Sequence, residues 1–186
     1  MKVDPLEVPA VLVITSVKHG DRRGFFSEVF RQDILENHGV EASFVQDNHA
    51  FSAAVGVLRG LHYQLEPSAQ GKLVRCCHGA ILDVAVDIRR GSPTYGRHVS
   101  VVLSADNWRQ VWVPPGFAHG YVTLEPNSEV LYKATAYYDP DRERGIAWDD
   151  PALGIDWRFP AAQLTLSARD RNNPRLADAE PAFVYE

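Results

Sequence analysis

The most informative part of the chain is Gly56-Val57-Leu58-Arg59-Gly60-Leu61-His62-Tyr63-Gln64. It has the composition of a buried strand, yet it carries a guanidinium and an imidazole three positions apart. Side chains of a regular strand alternate between its two faces, so Arg59 and His62 share a face only where the strand is interrupted. Gly60 permits a bulge at that point. The pattern predicts a kinked core strand that turns both polar groups inward; a hydrogen-bonded core histidine beside a surface arginine is the alternative.

The composition is that of a globular protein with one hydrophobic core. The 186 residues fit a single domain spanning 1–186, with 45% hydrophobic and 23% charged residues. A formal net charge of -5 favours neither a nucleic-acid groove nor an anionic membrane surface as the partner.

The cysteines and the termini bear on location and on metal binding. No apolar run reaches the ~18 residues of a membrane-spanning helix, and the segment Met1–Glu7 lacks the apolar centre of a signal peptide. Cys76 and Cys77 are adjacent, so a strand would point them to opposite faces. That arrangement argues against a disulfide between them and against a zinc site. We expect a cytoplasmic location and no bound metal.

Short apolar or alternating runs between turn residues fill most of the chain. Strands are predicted at 11–14, 57–58, 72–77, 80–88, 99–103, 109–113, 121–124 and 129–138. Turns are predicted at 19–21, 78–79, 90–93 and 114–116. One helix is predicted from Arg31 to His38, with Gly39 ending it. Many evenly spaced strands with little helix indicate a sandwich or barrel.

A collinear series of motifs resembles one known family. The motifs are Asp21-Arg22-Arg23-Gly24-Phe25-Phe26, Val45-Gln46-Asp47-Asn48, the nonapeptide 56–64, Gln70-Gly71-Lys72-Leu73-Val74-Arg75, the segments 83–89 and 91–96, Val113-Pro114-Pro115-Gly116-Phe117-Ala118-His119-Gly120, Leu131-Tyr132-Lys133, and Leu166-Ser167-Ala168-Arg169-Asp170. In order and content they resemble the dTDP-4-dehydrorhamnose 3,5-epimerase family. The resemblance implies an all-β double-stranded β-helix of the cupin or jelly-roll type with a few short helices.

The reaction that the resemblance implies inverts C3 and C5 of dTDP-4-keto-6-deoxyglucose. The C4 ketone acidifies both neighbouring C–H bonds, so a base on one face of the ring and an acid on the other suffice, with a donor for the enolate oxygen. No redox cofactor or metal is needed for this chemistry.

Four residues are the candidate catalytic groups. His62 is the candidate base, because histidine titrates near neutrality. The resemblance implies Asp170 as the carboxylate that supports it, although a turn or helix cap is the alternative for Asp170. Tyr132 is the candidate acid, and the alternative is that it only packs in the core. Lys72 is the candidate enolate stabiliser, and the alternative is that it lies in solvent at a strand edge.

Substrate binding is assigned by the resemblance to a wider set. Arginines suit a diphosphate because they pair bidentately with its oxygens. The set comprises Arg23, Phe26, Glu28, Gln46, Asp47, Asn48, His49, Arg59, Lys72, His119, Tyr138, Glu143 and Arg169. Tyr138 shares a face with Tyr132 if their strand is regular, and Arg169 stands where family members often carry lysine. The resemblance also implies a homodimer whose subunits share the sites.

Three alternatives remain open from the sequence. An epimerase acting only at C3 or only at C5 would share the same base and acid. A metal-dependent cupin would carry two histidines one residue apart, whereas Tyr63-Gln64 follows His62. A non-catalytic sugar-binding cupin would have no need of His62, Tyr132 and Lys72 together.

Overall fold

Strands dominate residues 1–185, the part of the chain that the computed structural model describes. In chain order they are β1 (Lys2–Pro5), β2 (Leu12–Thr15), β3 (His19–Asp21), β4 (Gly24–Phe26), β5 (Gln46–Ser52), β6 (Leu58–Gln64), β7 (Lys72–His78), β8 (Ala80–Asp87), β9 (Arg89–Arg90), β10 (His98–Ser104), β11 (Arg109–Val113), β12 (Phe117–Thr123), β13 (Ser128–Ala134), β14 (Glu143–Gly145) and β15 (Phe183–Val184). The helical elements are α1 (Gln32–Glu36) and two 3₁₀ turns, Ala161–Gln163 and Asp170–Asn172. None of the helices in residues 1–185 is long and apolar enough to cross a membrane.

Two antiparallel sheets form the body of the fold. One has six strands in the order β1-β2-β11-β7-β13-β5, and the other has five in the order β10-β8-β12-β6-β14. Smaller pairs are the β3–β4 hairpin and the parallel β9–β15 pair. Side chains from both large sheets meet in one core, where Val74 and Val130 of the first pack with Ala85 and Phe117 of the second. This is the predicted all-β jelly-roll sandwich.

A C-terminal segment covers the outer side of the five-stranded sheet. Ile146, Leu153, Trp157 and Leu166 pack there against the outward residues of β6, β8 and β12. Every residue of β8 is consequently buried, because apolar layers lie on both of its faces. The same segment carries the 3₁₀ turn at Asp170 to a position beside β6, which it contacts.

Helix α1 covers part of the outer side of the six-stranded sheet. It is shorter than predicted, Gln32–Glu36 rather than Arg31–His38. Leu35 and Val40 pack with Leu73 and Trp112 on that face. The predicted stop at Gly39 is confirmed, since this residue adopts a positive φ of 81°.

The predicted bulge at Gly60 is confirmed by the pairing of β6 with β12. His62 pairs with His119 and Arg59 pairs with Tyr121, so three steps on β6 match two steps on β12. Arg59 and His62 therefore share a face. Gly60 has a φ of 116°, and a Cβ added there would lie 2.6 Å from the Cα of Gly120. Only glycine satisfies both the backbone conformation and the close approach.

Three local predictions were wrong. His19–Asp21 is a strand of the β3–β4 hairpin rather than a turn, because the chain reverses one step later, before Gly24. Strand β5 was missed because Gln46–Ser52 is largely polar and shows no apolar alternation. Strand β13 ends at Ala134, so Tyr138 lies in the following loop and strand alternation does not decide its direction.

Replacing Gly60 by alanine should lower the free energy of unfolding by about 2–5 kcal/mol, because an unfavourable φ and an overlap with Gly120 act together. The matched control is Gly24→Ala, where φ is 129° but nothing lies within 4 Å of an added Cβ. Urea denaturation of both variants measures the difference. An equal loss in the two variants would show that the contact with Gly120 contributes nothing.

Candidate active site

A histidine–aspartate pair lies at the inner face of β6. The bulge turns His62 inward, and its Nε2 donates to Oδ1 of Asp170 at 2.5 Å. Asp170 is 4% exposed, and Ser167 Oγ donates to its other oxygen at 2.8 Å. Burial raises the pKa of Asp170, but the hydrogen bonds from His62 and Ser167 outweigh it and hold the pKa below its usual value. The ionised carboxylate therefore fixes the ring and leaves Nδ1 as its basic nitrogen.

Tyr132 and Lys72 come from the opposite, six-stranded sheet. Lys72 begins β7 and Tyr132 lies on β13, each in step with inward neighbours such as Val74 and Val130. Both side chains thus point between the sheets. The space bordered by His62, Lys72 and Tyr132 is called the cleft below. The solvated strand edge considered for Lys72 is excluded by this inward direction.

Desolvation controls the ionisation of both groups. It lowers the pKa of the Lys72 ammonium to about 8, although the charges of Glu143 and Asp83 oppose the shift. Burial, then the charge of Glu143, raises the pKa of Tyr132. Tyr132 is therefore a neutral phenol near pH 7, and it holds a proton that it can donate.

A second histidine–aspartate pair lines the same interior. Nε2 of His119 donates to Asp83 at 2.9 Å, and both residues are buried. His119 pairs in register with His62 across β12 and β6, so the two histidines are neighbours. The position predicted for His119 at the cleft is consistent with this register.

Tyr138, Glu143 and Arg169 form a hydrogen-bonded group, the rim of the cleft. Glu143 on β14 accepts from the Tyr138 hydroxyl at 2.7 Å and from the Arg169 guanidinium. The hydrogen bond to Glu143 raises the pKa of Tyr138. Gln46 Oε1 accepts from the Tyr138 backbone N–H at 2.9 Å, which ties this loop to β5. Tyr138 thus reaches the site from a loop and not from the strand of Tyr132.

Asn48 and Arg59 offer donors between the rim and the interior. Gln46 Nε2 donates to Asn48 Oδ1 at 2.9 Å, which orients the amide, and the buried Asn48 Nδ2 has no partner among residues 1–185. Arg59 reaches across to β5, where it donates to the carbonyl of Phe51 at 3.3 Å. Its remaining guanidinium donors are available to a ligand.

Five predicted residues are not brought to His62 in the chain that the structure describes. Asp47 and His49 lie on the outer face of β5, where they pair with Lys133 at 3.0 Å and Glu129 at 2.8 Å. Strand alternation places them opposite to Asn48. The other three lie on or just after the exposed β3–β4 hairpin, and they are Arg23, Phe26 and Glu28. Phe26 is 68% exposed.

One group of potential metal-ligating side chains lies outside the cleft. Within the described chain, ligand atoms of His49, Cys77 and Glu129 lie within 4.8 Å of one another on the outer face of the six-stranded sheet. Cys76 and Cys77 are free thiols, as predicted, and burial raises the pKa of Cys76 to about 12. This grouping is separated from Tyr132 by the sheet itself.

Two residues that support the site were not predicted from the sequence. Ser167 orients Asp170 through its hydroxyl, and the spacing Ser-x-x-Asp, which is that of a capping box, was the available signal. Asp83 supports His119, and its position as a lone acid inside an apolar run could have indicated a buried partner.

Comparison with known proteins bears on this site. Residues 5–178 match the family model described as dTDP-4-dehydrorhamnose 3,5-epimerase. The chain belongs to the dTDP-4-dehydrorhamnose 3,5-epimerase family. A relative of that name from Sinorhizobium fredii is 49% identical over 185 residues, which are 100% of this chain and 94% of the relative. The family assignment makes the chain an isomerase rather than a metal-dependent or non-catalytic cupin.

Solved structures of this epimerase family share the fold closely. The epimerase RmlC of Legionella pneumophila, solved with dTDP-4-keto-L-rhamnose, superposes with a TM-score of 0.95 at 42% identity, over 100% of this chain and 98% of that one. ChmJ of Streptomyces bikiniensis, a 3'-monoepimerase solved with dTDP-quinovose, superposes with a TM-score of 0.85 at 36% identity, over 93% and 87% of the two chains. The fold therefore occurs in epimerases of both site specificities.

Asp170→Asn should lower the free energy of unfolding by about 1–3 kcal/mol at neutral pH, because His62 and Ser167 lose an ionised acceptor. The pKa of Asp170 is lower in the folded state, so its contribution is fully present above the ordinary aspartate pKa of about 4 and is lost as pH falls through the folded pKa. The gap between wild type and variant should therefore narrow below about pH 4. Urea denaturation across pH measures it, with the exposed Asp178→Asn as control. A gap that widens on acidification would contradict the assignment.

Proposed function

We propose that this chain epimerises dTDP-4-keto-6-deoxy-D-glucose at C3 and C5 to give dTDP-4-keto-L-rhamnose, in deoxysugar biosynthesis. The observation that carries the proposal is the pairing of His62 with Asp170 on one sheet, across the cleft from Tyr132 and Lys72 on the other. A base and an acid on opposite sides are what inversion at carbon requires. A cytoplasmic location is part of the proposal, in keeping with the free thiols of Cys76 and Cys77.

The proposed reaction begins with proton removal from carbon. His62 Nδ1 takes the proton next to the C4 ketone, and the electron pair moves to the ketone oxygen to form an enolate. Asp170 stabilises the imidazolium that results. Tyr132 then donates its phenolic proton to the other face of the same carbon, which inverts it. Exchange with water returns the proton to Tyr132 and removes it from His62, and the cycle repeats at the second carbon.

Lys72 is proposed as the group that stabilises the enolate. An ammonium in a poorly solvated cleft interacts strongly with a charge that develops on a nearby oxygen. Desolvation lowers the pKa of Lys72 to about 8, so the side chain is still largely charged near pH 7. Because an enolate would add a negative charge beside it, the ammonium form is favoured further when the reaction needs it.

Binding of the nucleotide sugar is proposed for the polar groups around the cleft. Arg59 offers guanidinium donors to the diphosphate, and the unpaired Asn48 Nδ2 offers a donor to a substrate oxygen. In the rim, Tyr138 is held by hydrogen bonds to Glu143 and Gln46. Its ring is proposed as a flat surface for the nucleotide base of the substrate. Arg169 keeps the charge of the lysine that it replaces but is engaged with Glu143.

A homodimer with shared sites is proposed as the active form. Arg23, Phe26 and Glu28 carry ligand-binding chemistry but lie on an exposed segment of their own subunit. Among the strands of residues 1–185, β5 is an edge strand with no sheet neighbour on one side. A twofold partner that brings its hairpin to this edge would complete the binding site, and would explain the outward direction of Asp47 and His49.

Epimerisation at a single carbon is the alternative, favoured by the similarity to the 3'-monoepimerase. Base, acid and enolate stabiliser are the same in both cases, so the reaction itself must be followed. Deuterium incorporation at C3 and at C5 during turnover in heavy water separates the two functions, with a ketoreductase to trap the product.

His62→Asn should abolish both epimerisation and deuterium exchange, because general-base catalysis contributes about 10²–10⁴-fold and the first step has no substitute. Tyr132→Phe should retain exchange without inversion at one carbon at least, since the enolate recovers its proton from His62 on the original face. Lys72→Ala should suppress both signals. Mass spectrometry and NMR of the trapped product distinguish these results.

Two results would contradict these assignments. Undiminished exchange in His62→Asn would remove His62 as the base. Normal inversion by Tyr132→Phe would assign the acid to Tyr138 or to a water molecule.

Mixing inactive variants tests the shared site. Arg23→Ala and His62→Asn should each lose activity, but after unfolding and refolding together they should recover about a quarter of wild-type activity. Half of the dimers are then mixed, and one of their two sites combines an intact His62 with an intact Arg23 from the other chain. Activity assays and light scattering measure the recovery.

The matched control is the mixture of His62→Asn with Lys72→Ala. Both residues belong to the cleft of one subunit, so no site is completed and no activity should return. Recovery in this control, or none with Arg23→Ala, would contradict sharing of sites between subunits.

A further inference from the structure

Tyr121 on β12 is a buried tyrosine with an unpaired hydroxyl. Its side chain is 5% exposed, and its Oη has no hydrogen-bond partner among residues 1–185. Buried hydroxyl groups are normally hydrogen-bonded, because burial without a partner removes their bonds to water. A donor left unpaired at this depth points to a ligand as its missing partner.

Tyr121 faces the same interior between the sheets as the residues of the cleft. Tyr121 shares the inner face of β12 with His119, two residues away, and pairs in register with Arg59 on β6 and Asp83 on β8. Its ring packs in the core between the sheets with Cys76 and Val130. Arg59, Tyr132 and Asp83 are close enough for their charges to act on the hydroxyl. Tyr121 is therefore the next inward-facing residue along β12 after His119, and it lies beside Arg59.

The protonation state of Tyr121 limits what it can do. Burial raises the pKa of its phenol to about 12, a shift that the charge of Arg59 opposes. The group is neutral at physiological pH and is a hydrogen-bond donor rather than a base. Asp83, its register neighbour, already accepts from His119.

We propose that Tyr121 Oη donates a hydrogen bond to an oxygen of the substrate's hexose and thereby determines specificity for the sugar. This rests on the proposed function of the same cleft. The sugar must lie beside His62 for proton transfer, and Tyr121 faces the same interior from the neighbouring strand, so the hexose is the part of the ligand proposed to meet its hydroxyl. In this arrangement Arg59 binds the diphosphate and the rim binds the nucleotide base.

Tyr121→Phe tests the proposal by calorimetric titration with dTDP-glucose and with dTDP. Affinity for dTDP-glucose should fall about 3- to 10-fold, the range for one hydrogen bond, while affinity for dTDP stays unchanged. The melting temperature of the free protein should not fall, because the variant removes an unpaired group. The control is Tyr63→Phe, which is equally buried but packs against Phe183 on the other side of the sheet. It should bind both ligands like wild type.

Two outcomes would overturn the inference. Unchanged affinity for dTDP-glucose would show that the hydroxyl meets no sugar oxygen. Equal losses for dTDP and dTDP-glucose would show a general distortion of the site. The titrations need no turnover, so a wild-type protein that binds dTDP-glucose without epimerising the keto-sugar would defeat the proposed function alone.

Discussion

The close contact between the backbones at Gly60 and Gly120 is the constraint on which the rest of the site depends. A Cβ at either glycine would lie within 2.7 Å of the opposite strand. This contact lets β6 absorb one extra residue, so that Arg59 and His62 both turn between the sheets. Without the bulge, one of the two would enter the apolar layer beneath the C-terminal segment, where a charge has no partner.

Between the sheets, polar groups are either paired with an opposite charge or have a pKa shifted towards the neutral form. His62 with Asp170 and His119 with Asp83 are the two paired sets. Poor solvation lowers the pKa of Lys72 and raises that of Tyr132. Both effects have one cause, because an ion is less stable where water is excluded. The same exclusion strengthens the interaction of each group with a charge that forms during a reaction.

The C-terminal segment is a structural part of this site as well as a cover for the sheet. It packs its apolar residues on the outer face of the five-stranded sheet and delivers Asp170 to His62. Its position is fixed closely: a Cβ on Gly145, which pairs with His62, would lie 2.4 Å from Asn173. The packing that stabilises the sandwich therefore also sets the geometry of the His62–Asp170 pair.

The amino-acid sequence was enough to predict the all-β class, the strands at 80–88 (observed at 80–87) and 109–113, and the bulge at Gly60, because alternation and glycine conformation are local properties of the backbone. The family motifs predicted His62, Lys72, Tyr132 and Asp170 as the candidate catalytic residues. Only the packing of distant segments shows that Asp170 meets His62 across 108 residues, that Tyr138 arrives from a loop, and that the Tyr121 hydroxyl has no partner among residues 1–185. Those facts depend on how distant segments pack, and no pattern within one segment records the partner that it will meet.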